Sequence, residues 1–462
     1  MAEQKTTSFS SKIGLILAAA GGAVGLGNIW KFPYIAGENG GGAFLIVYLL
    51  CVLLFGMPVV MTEFIIGKRA RRSAYGAFHA LSGNYRWQWL SWLSMLTAFV
   101  IMSFYFVVTG WCFNYLFEAL ICAFDGMDTA ALTAHFGGIV MSTKRQIVFG
   151  IIPVLLTASV LWFDVNKGIE RLSKILLPLL LVMMLLMAGR VLMLDGSNIG
   201  MRFFFQTDFS KITPTVILEA MGQCFFSLSI GMGALITYGA YMPKNQNVVT
   251  TSVQVIVLDT LVAILAGIII FPAVFAFGFS PAEGPQLVFV VLPAIFQQMS
   301  FSWFSGVLFF ALLCIAAITS TISLMEVVVA FICEASAKPR GKDGQAHPLN
   351  RHHSVLIVSV LVAGLIALCV LSMTGEWEWL QLFGRNLFDA FDQVTSCIMM
   401  PLGALGIALF VGWYLPKKGE RAFFNNQGLR RVGTQVYLVM LRWLVPIAIV
   451  LIFLNSLGLF HD

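Results

Sequence analysis

The chain has 462 residues, 59% of them hydrophobic and only 11% charged, with a mean hydropathy of +0.89. Soluble domains carry about 25% charged residues, so a water-soluble globular protein is excluded. Apolar runs of about 18 or more residues recur, which makes helices the spanning element and excludes an outer-membrane barrel. The formal net charge of +6 sits in loops between apolar runs and is no evidence of nucleic-acid binding. Eight cysteines stand singly in the sequence without a C-x-x-C pair, so they read as small apolar side chains, not as a disulfide framework or metal site. The six histidines show no ligand spacing, and His352-His353 lies in a basic loop.

In chain order the hydropathy pattern predicts eleven spans, at about 13–36, 42–67, 88–123, 146–163, 168–194, 215–241, 247–278, 303–334, 353–373, 385–414 and 436–459. The first is too long for a signal peptide, and no cleavage is expected. It contains Gly21, Gly22, Gly25 and Gly27, four glycines within seven residues. Each costs about 1 kcal/mol relative to alanine in a helix. Such a break is tolerated in a membrane only where protein or a water-filled cavity satisfies the freed backbone groups. Two readings follow: a helix-packing face of small residues, or a binding site at an unwound segment, with bare carbonyls for a cation and bare amides for an anion. A dinucleotide loop is excluded, because the order is G-x-x-G-x-G with no preceding strand.

The sixth span repeats the pattern. Gly222, Ser227, Ser229, Gly231 and Gly233 interrupt an apolar run. Spans one and six correspond if the first ten spans form two inverted five-helix repeats, and paired interrupted helices in that relation point to a transporter site. Basic residues then predict the orientation. Of 28 Lys and Arg, 20 fall in the N-terminal segment and in alternate loops, including Lys68 to Arg72, Lys167 to Lys174 and Lys338 to Arg351. By the positive-inside rule the N-terminus is cytoplasmic, and an odd number of spans puts the C-terminus outside.

The motifs GGAVGLGNIWKFPY from Gly21, ENGGGAF at 38–44, QCFFSLSIGMGALITYGAY at 223–241, LPAIF at 292–296 and AAITSTISLMEV at 316–327 resemble, in order, those of the neurotransmitter:sodium symporters. The resemblance implies an all-α integral membrane protein with the LeuT-type fold: discontinuous helices 1 and 6, five plus five inverted spans, and an eleventh helix. The expected organisation is a cytoplasmic segment 1–12, repeats 13–194 and 195–414, and a cytoplasmic linker with the last helix in 415–462. Its eleven spans look like the bacterial branch of the family, placing the chain in a plasma membrane.

The resemblance also implies cargo and site. Two sodium ions are expected and no organic cofactor. The first sodium site would use Ala23, Asn28, Ser227 and Asp259. The second would use carbonyls of Gly21, Val24 and Ala316 with hydroxyls of Thr319 and Ser320, which alternatively bond back to their own helix. Asp259 stands where relatives usually have asparagine, and Ala263 where chloride-dependent relatives have serine. A resident carboxylate repels chloride, so Tyr48, Gln223 and Ser227 are expected to bind none, and Asp259 is also a candidate proton carrier. Gly25 replaces the aspartate of monoamine-transporting relatives, which favours an amino acid. Its carboxylate would meet the amides of Leu26 and Gly27 and the Tyr105 hydroxyl. Its amino group would meet carbonyls of Ala23, Phe226 and Ser227 near Ser229. Gly22, Ile101, Tyr105, Phe226, Met232, Ser320 and Leu324 would line an apolar side-chain pocket.

Gates are implied likewise. Tyr105 and Phe226 would form an outer lid beneath Lys31 and Asp392, although Lys31 could simply reach the membrane surface. Lys5, Glu334 and Tyr241 would close the inside. Gly168 and Pro178 match a motif linked to unwinding of the fifth helix, or mark an ordinary proline kink. Glu63 is expected to satisfy backbone amides of the breaks. The expected activity is sodium-coupled, chloride-independent import of hydrophobic L-amino acids; a sodium-dependent amino-acid sensor and a sodium channel are the rival readings. No enzyme motif is present.

Overall fold

A computed structural model of the protein describes residues 8–282, 286–337, 349–415 and 431–456. The chain enters through α1 (Lys12–Ala23), capped by Ser11, whose hydroxyl accepts the Gly14 amide at 3.0 Å. The helix breaks at Val24–Gly25 and resumes, bent by 50°, as α2 (Gly27–Glu38). Then come α3 (Gly42–Ala70), the short α4 (Ala74–Ser82), α5 (Tyr85–Leu120), α6 (Thr129–Val140), α7 (Thr143–Leu161), α8 (Lys167–Leu192) and α9 (Ser197–Phe205). A second break, over residues 228–233, separates α10 (Pro214–Ser227) from α11 (Ala234–Ala240). The rest is α12 (Val248–Ala276), α13 (Leu287–Gln298), α14 (Ser302–Ser336), α15 (Arg351–Met373), α16 (Leu387–Tyr414) and α17 (Gly433–Leu454). An antiparallel hairpin, β1 (Gln381–Leu382) on β2 (Arg385–Asn386), precedes α16.

Among the described residues nine helices are long and apolar enough to cross a membrane, and the bent pair α1–α2 makes a tenth. The remaining expected span is α10–α11, whose pieces of 14 and 7 residues are each too short alone. The sequence did not predict α6, α9, α13 or the hairpin, all of which lie in the connections between spans.

Burial sorts the long helices into layers. The apolar window of α14 is 78% buried and that of α5 72%, whereas α7, α8, α15 and α17 range from 33% to 39%. The first two therefore form the centre, and the others turn apolar faces outward. Leu155, Leu185, Val360 and Ile447 are exposed on those faces, a surface that requires lipid. At the centre, backbones meet without side chains between them. A Cβ on Gly67 of α3 would overlap the Ile236 carbonyl of α11, and one on Gly239 would lie 2.8 Å from the Phe64 carbonyl.

Gly67→Ala is therefore expected to force α3 and α11 apart at a cost of about 1–3 kcal/mol, typical of overpacking. A thermal midpoint in detergent that stayed unchanged would show this contact to have slack.

Candidate functional site

The first break is held by side chains from elsewhere. In a continuous helix the amides of Gly25 and Leu26 would donate to the carbonyls four residues back, those of Gly21 and Gly22. Instead Gly25 N donates to Asn28 Oδ1 at 3.2 Å and Leu26 N to Tyr105 Oη at 3.1 Å. The Gly22 carbonyl accepts from Ser229 Oγ at 3.2 Å, and the Gly27 carbonyl from Gln223 Nε2 at 2.8 Å. The second break is pinned by Glu63 of α3, whose Oε1 accepts the Gly231 amide at 2.7 Å. Ser229 there takes a left-handed φ of 55°, the kind of strained backbone that surrounding structure must enforce.

Two oxygen clusters flank the first break. In one, Asn28 Nδ2 donates to Ser227 Oγ at 2.9 Å and to Asp259 Oδ1 at 2.8 Å, and Ser227 Oγ donates to Asp259 Oδ2 at 2.9 Å. Tyr48 Oη adds a hydrogen bond to Ser227 Oγ at 3.2 Å. Asp259 is fully buried, and among the described residues its carboxylate bonds to the Asn28 amide and the Ser227 hydroxyl and pairs with no basic side chain. In the other, Val24 O lies 3.3 Å from Ser320 Oγ and 3.5 Å from Thr319 Oγ1, which is 2.9 Å from Ala316 O. Gly21 packs directly on Thr319: a Cβ on this glycine would stand 3.4 Å from the Thr319 Cβ. These oxygens belong to the end of α1 and to α14 and include no charge, a donor set suited to a small hard cation.

Between the breaks lies a cavity of about 340 Å³ lined by Gly22, Ala23, Gly25, Gly27, Ile101, Tyr105, Phe226, Ser229, Met232, Ser320 and Leu324. None of these side chains is charged. Of the residues expected around the substrate, Leu26 and Ser227 are absent from this wall; Leu26 lines the cavity above, and Ser227 sits in the Asp259 cluster. That upper cavity, about 390 Å³, is formed by Leu26, Trp30, Lys31, Tyr34, Phe104, Tyr105, Val108, Phe226, Phe388 and Asp392. Tyr105 and Phe226 line both spaces and so partition them. Lys31 Nζ stands 4.2 Å from the centre of the Phe226 ring and 3.6 Å from Asp392 Oδ1, so cation and ring share one contact.

At the opposite end Lys5 of the expected gate lies outside the described residues. Glu334 engages the entry to α4: Arg72 Nη1 at 3.1 Å, Ser73 N at 2.9 Å and Ser73 Oγ at 2.6 Å. Tyr241 Oη donates to Glu326 Oε1 at 2.8 Å, and Arg351 grips Glu326 with two nitrogens at 3.0 and 2.6 Å. Glu326 is the acidic residue of the 316–327 motif, to which sequence reasoning gave no role. Gly168 lies in a π-helical turn at the start of α8, packed against the Val160 carbonyl, and Pro178 lies inside an unbroken helix.

A cavity between two broken helices, with neutral and acidic oxygens at its edge and aromatic rings partitioning it from the space above, is the arrangement found in membrane transporters. A sequence model of the Sodium:neurotransmitter symporter family matches residues 6–126 and 141–460, and the chain belongs to that family, a family of transporters and not of enzymes. It is 37% identical to the sodium-dependent transporter YhdH of Bacillus subtilis, with 99% of each chain covered. It is 31% identical to a sodium-dependent transporter of Haemophilus influenzae over 97% of this chain and 98% of that one. The structure of MhsT in complex with L-phenylalanine superposes with a TM-score of 0.87 at 39% identity, covering 97% of this chain and 99% of MhsT. The protein is thus a multi-pass, sodium-dependent transporter with the LeuT-like fold.

Gly25 is the most crowded of the glycines that line the cavity. A Cβ there would overlap Ser320 Oγ and lie 2.6 Å from Tyr105 Oη. Gly25→Ala is expected to abolish sodium-dependent transport while leaving the folded protein intact by size exclusion; retained transport would show that this junction yields.

Proposed function

We propose that the protein imports hydrophobic L-amino acids together with sodium by alternating access, without need of chloride. The observation that carries this reading is the uncharged cavity between the breaks, lined along one wall by Gly22, Ala23, Gly25, Gly27 and Ser229 of the interrupted segments. A zwitterion needs such a wall, and its apolar side chain needs the rest: Ile101, Phe226, Met232 and Leu324. The phenylalanine bound by MhsT supports an aromatic or large aliphatic side chain.

In this reading the Leu26 and Gly27 amides and Tyr105 Oη receive the substrate carboxylate. Tyr105 Oη accepts the Leu26 amide at 3.1 Å, so the two groups lie side by side and would exchange this bond for bonds to the carboxylate. One sodium joins Ala23, Asn28, Ser227 and Asp259 and touches that carboxylate, which links ion and substrate directly. A second joins Gly21, Val24, Ala316, Thr319 and Ser320 and holds α1 against α14. Bound sodium would thereby favour closure of the N-terminal end, taken as cytoplasmic from the basic loops. The five-plus-five inverted repeat supplies the two bodies that rock about the site.

Chloride independence is supported by Asp259. Its carboxylate already accepts the Ser227 hydroxyl that would otherwise face an anion, and a fixed negative charge repels a second one. Ala263 offers no hydroxyl in compensation.

In proteoliposomes, labelled leucine, phenylalanine or tryptophan is expected to accumulate under an inward sodium gradient and not under potassium. Binding without accumulation would instead identify a sensor. Replacing chloride by gluconate is expected to leave uptake unchanged; stimulation by chloride would refute the anion argument. Asp259→Asn keeps the shape and removes the charge, and is expected to raise the half-saturating sodium concentration about tenfold, the scale of one lost charge-assisted contact. An unchanged sodium dependence would exclude Asp259 from the ion site.

A further inference from the structure

The most heavily hydrogen-bonded carboxylate at the N-terminal end belongs to Glu170, which no part of the transport reading uses. It lies in the first turn of α8, two residues after Gly168, and is almost fully buried. Its Oε2 accepts the Ser10 amide at 2.7 Å. Its Oε1 accepts the Ser10 hydroxyl at 2.7 Å, the Ser11 hydroxyl at 2.9 Å and Lys174 Nζ at 2.6 Å. Ser11 is at the same time the cap of α1. Through Ser10 and Ser11 the carboxylate sits at the positive end of α1, where a negative charge is stabilised. Gly14, one turn into α1, leaves the space it occupies, since a Cβ there would overlap the carboxylate.

We propose that Glu170 is the positioning residue that couples the entry of α1 to the first turn of α8, so that neither segment opens without the other. The argument is one of shared bonds. Unwinding the start of α8 breaks the Glu170–Lys174 pair, which exists only while the two residues are one helical turn apart. It also carries the carboxylate away from Ser10 and Ser11. Conversely, swinging the start of α1 outward strips Glu170 of three of its four donors and leaves Lys174 as its remaining partner, an unfavourable loss of charge-assisted bonds. Each motion removes most of what opposes the other. Gly168 fixes the geometry from behind, because its backbone lies directly on the Val160 carbonyl at the end of α7.

This coupling connects with sodium. Gly21 of α1 and Val24 at its end, which flank the neutral oxygen cluster, continue the same helix that Glu170 holds at its start. A cation that steadies α1 at the cluster steadies residues 8–15 and, through Glu170, residues 166–174. The inference deepens the alternating-access reading, and its test is independent of any transported substrate.

Amide hydrogen exchange on the full chain in lipid nanodiscs, with and without sodium, reads the coupling directly. In the unaltered chain, sodium is expected to slow exchange in both 8–15 and 166–174. In Glu170→Gln, sodium should still slow exchange in 8–15 while its effect on 166–174 falls about tenfold. The double variant Ser10→Ala with Ser11→Ala should raise exchange in 166–174, although it alters no residue of α8, and leave 88–120 unchanged. Should Glu170→Gln misfold, this double variant and Lys174→Met carry the test. Persistence of the full sodium effect at 166–174 in Glu170→Gln, or unaltered exchange there in the double variant, would overturn the proposal, because packing alone would then link the helices. Coupled exchange in a chain that accumulates no amino acid would leave the role of Glu170 standing and sink the transport reading. Sodium-driven uptake with uncoupled exchange would do the reverse.

Discussion

Everything in the centre of this protein answers one constraint: backbone polar groups freed inside a membrane must find partners within the protein. An unsatisfied buried group costs about 1–3 kcal/mol, and the two breaks free several. Asn28, Tyr105, Gln223, Ser229, Thr319, Ser320 and Glu63 each meet one of them. These side chains come from α2, α5, α10, α14, α3 and the second break itself. The arrangement of the central helices is thus set by where their polar groups must reach, while apolar packing fills the space between. Three of these partners, Tyr105, Ser229 and Ser320, also line the cavity, so binding and stability draw in part on the same residues.

The two ends of the molecule are closed by contacts of different strength. Above the cavity the closure is a ring partition and one ion pair, Lys31–Asp392, with Asp392 well exposed and the charges 3.6 Å apart. Exposed pairs contribute about 0–1 kcal/mol. Lysine also lacks the planar fork that would grip a carboxylate twice. At the N-terminal end Glu326 is buried and held by both Arg351 nitrogens and Tyr241, Glu334 is held by Arg72 and Ser73, and Glu170 by α1. Removing one partner of a buried pair costs about 3–5 kcal/mol. The upper closure is the weaker of the two.

The breaks were legible in the sequence because glycine and serine inside an apolar run are local departures from a helix, visible without tertiary knowledge. The cavity wall was legible through motif order, which carries positions reliably. Pairings were legible only in part. The resemblance brought Lys31 to Asp392 and Asn28 and Ser227 to Asp259. The bond of Glu334 to Arg72, 262 positions away in sequence, and that of Arg351 to Glu326 were not foreseen, because Arg72 and Arg351 stand in no motif that would have announced them. A motif fixes where a side chain starts, whereas its partner depends on how two distant elements meet. The same reason hid Glu170, an ordinary residue at the basic start of the fifth span until Ser10 and Ser11 are folded onto it. The helices α6, α9 and α13 escaped notice because short segments gain their helicity from docking and not from an apolar run of their own.

The glycine contact between α3 and α11 has a mechanical consequence. Gly67 and Gly239 bring the two backbones together with no side chain to deform between them, so the helices cannot approach further without steric overlap. Glu63, which reaches from α3 to Gly231 just ahead of α11, ties the second break to the same helix. A push on α11 toward α3 is therefore met by backbone, with no compliant side chain at the contact to absorb it.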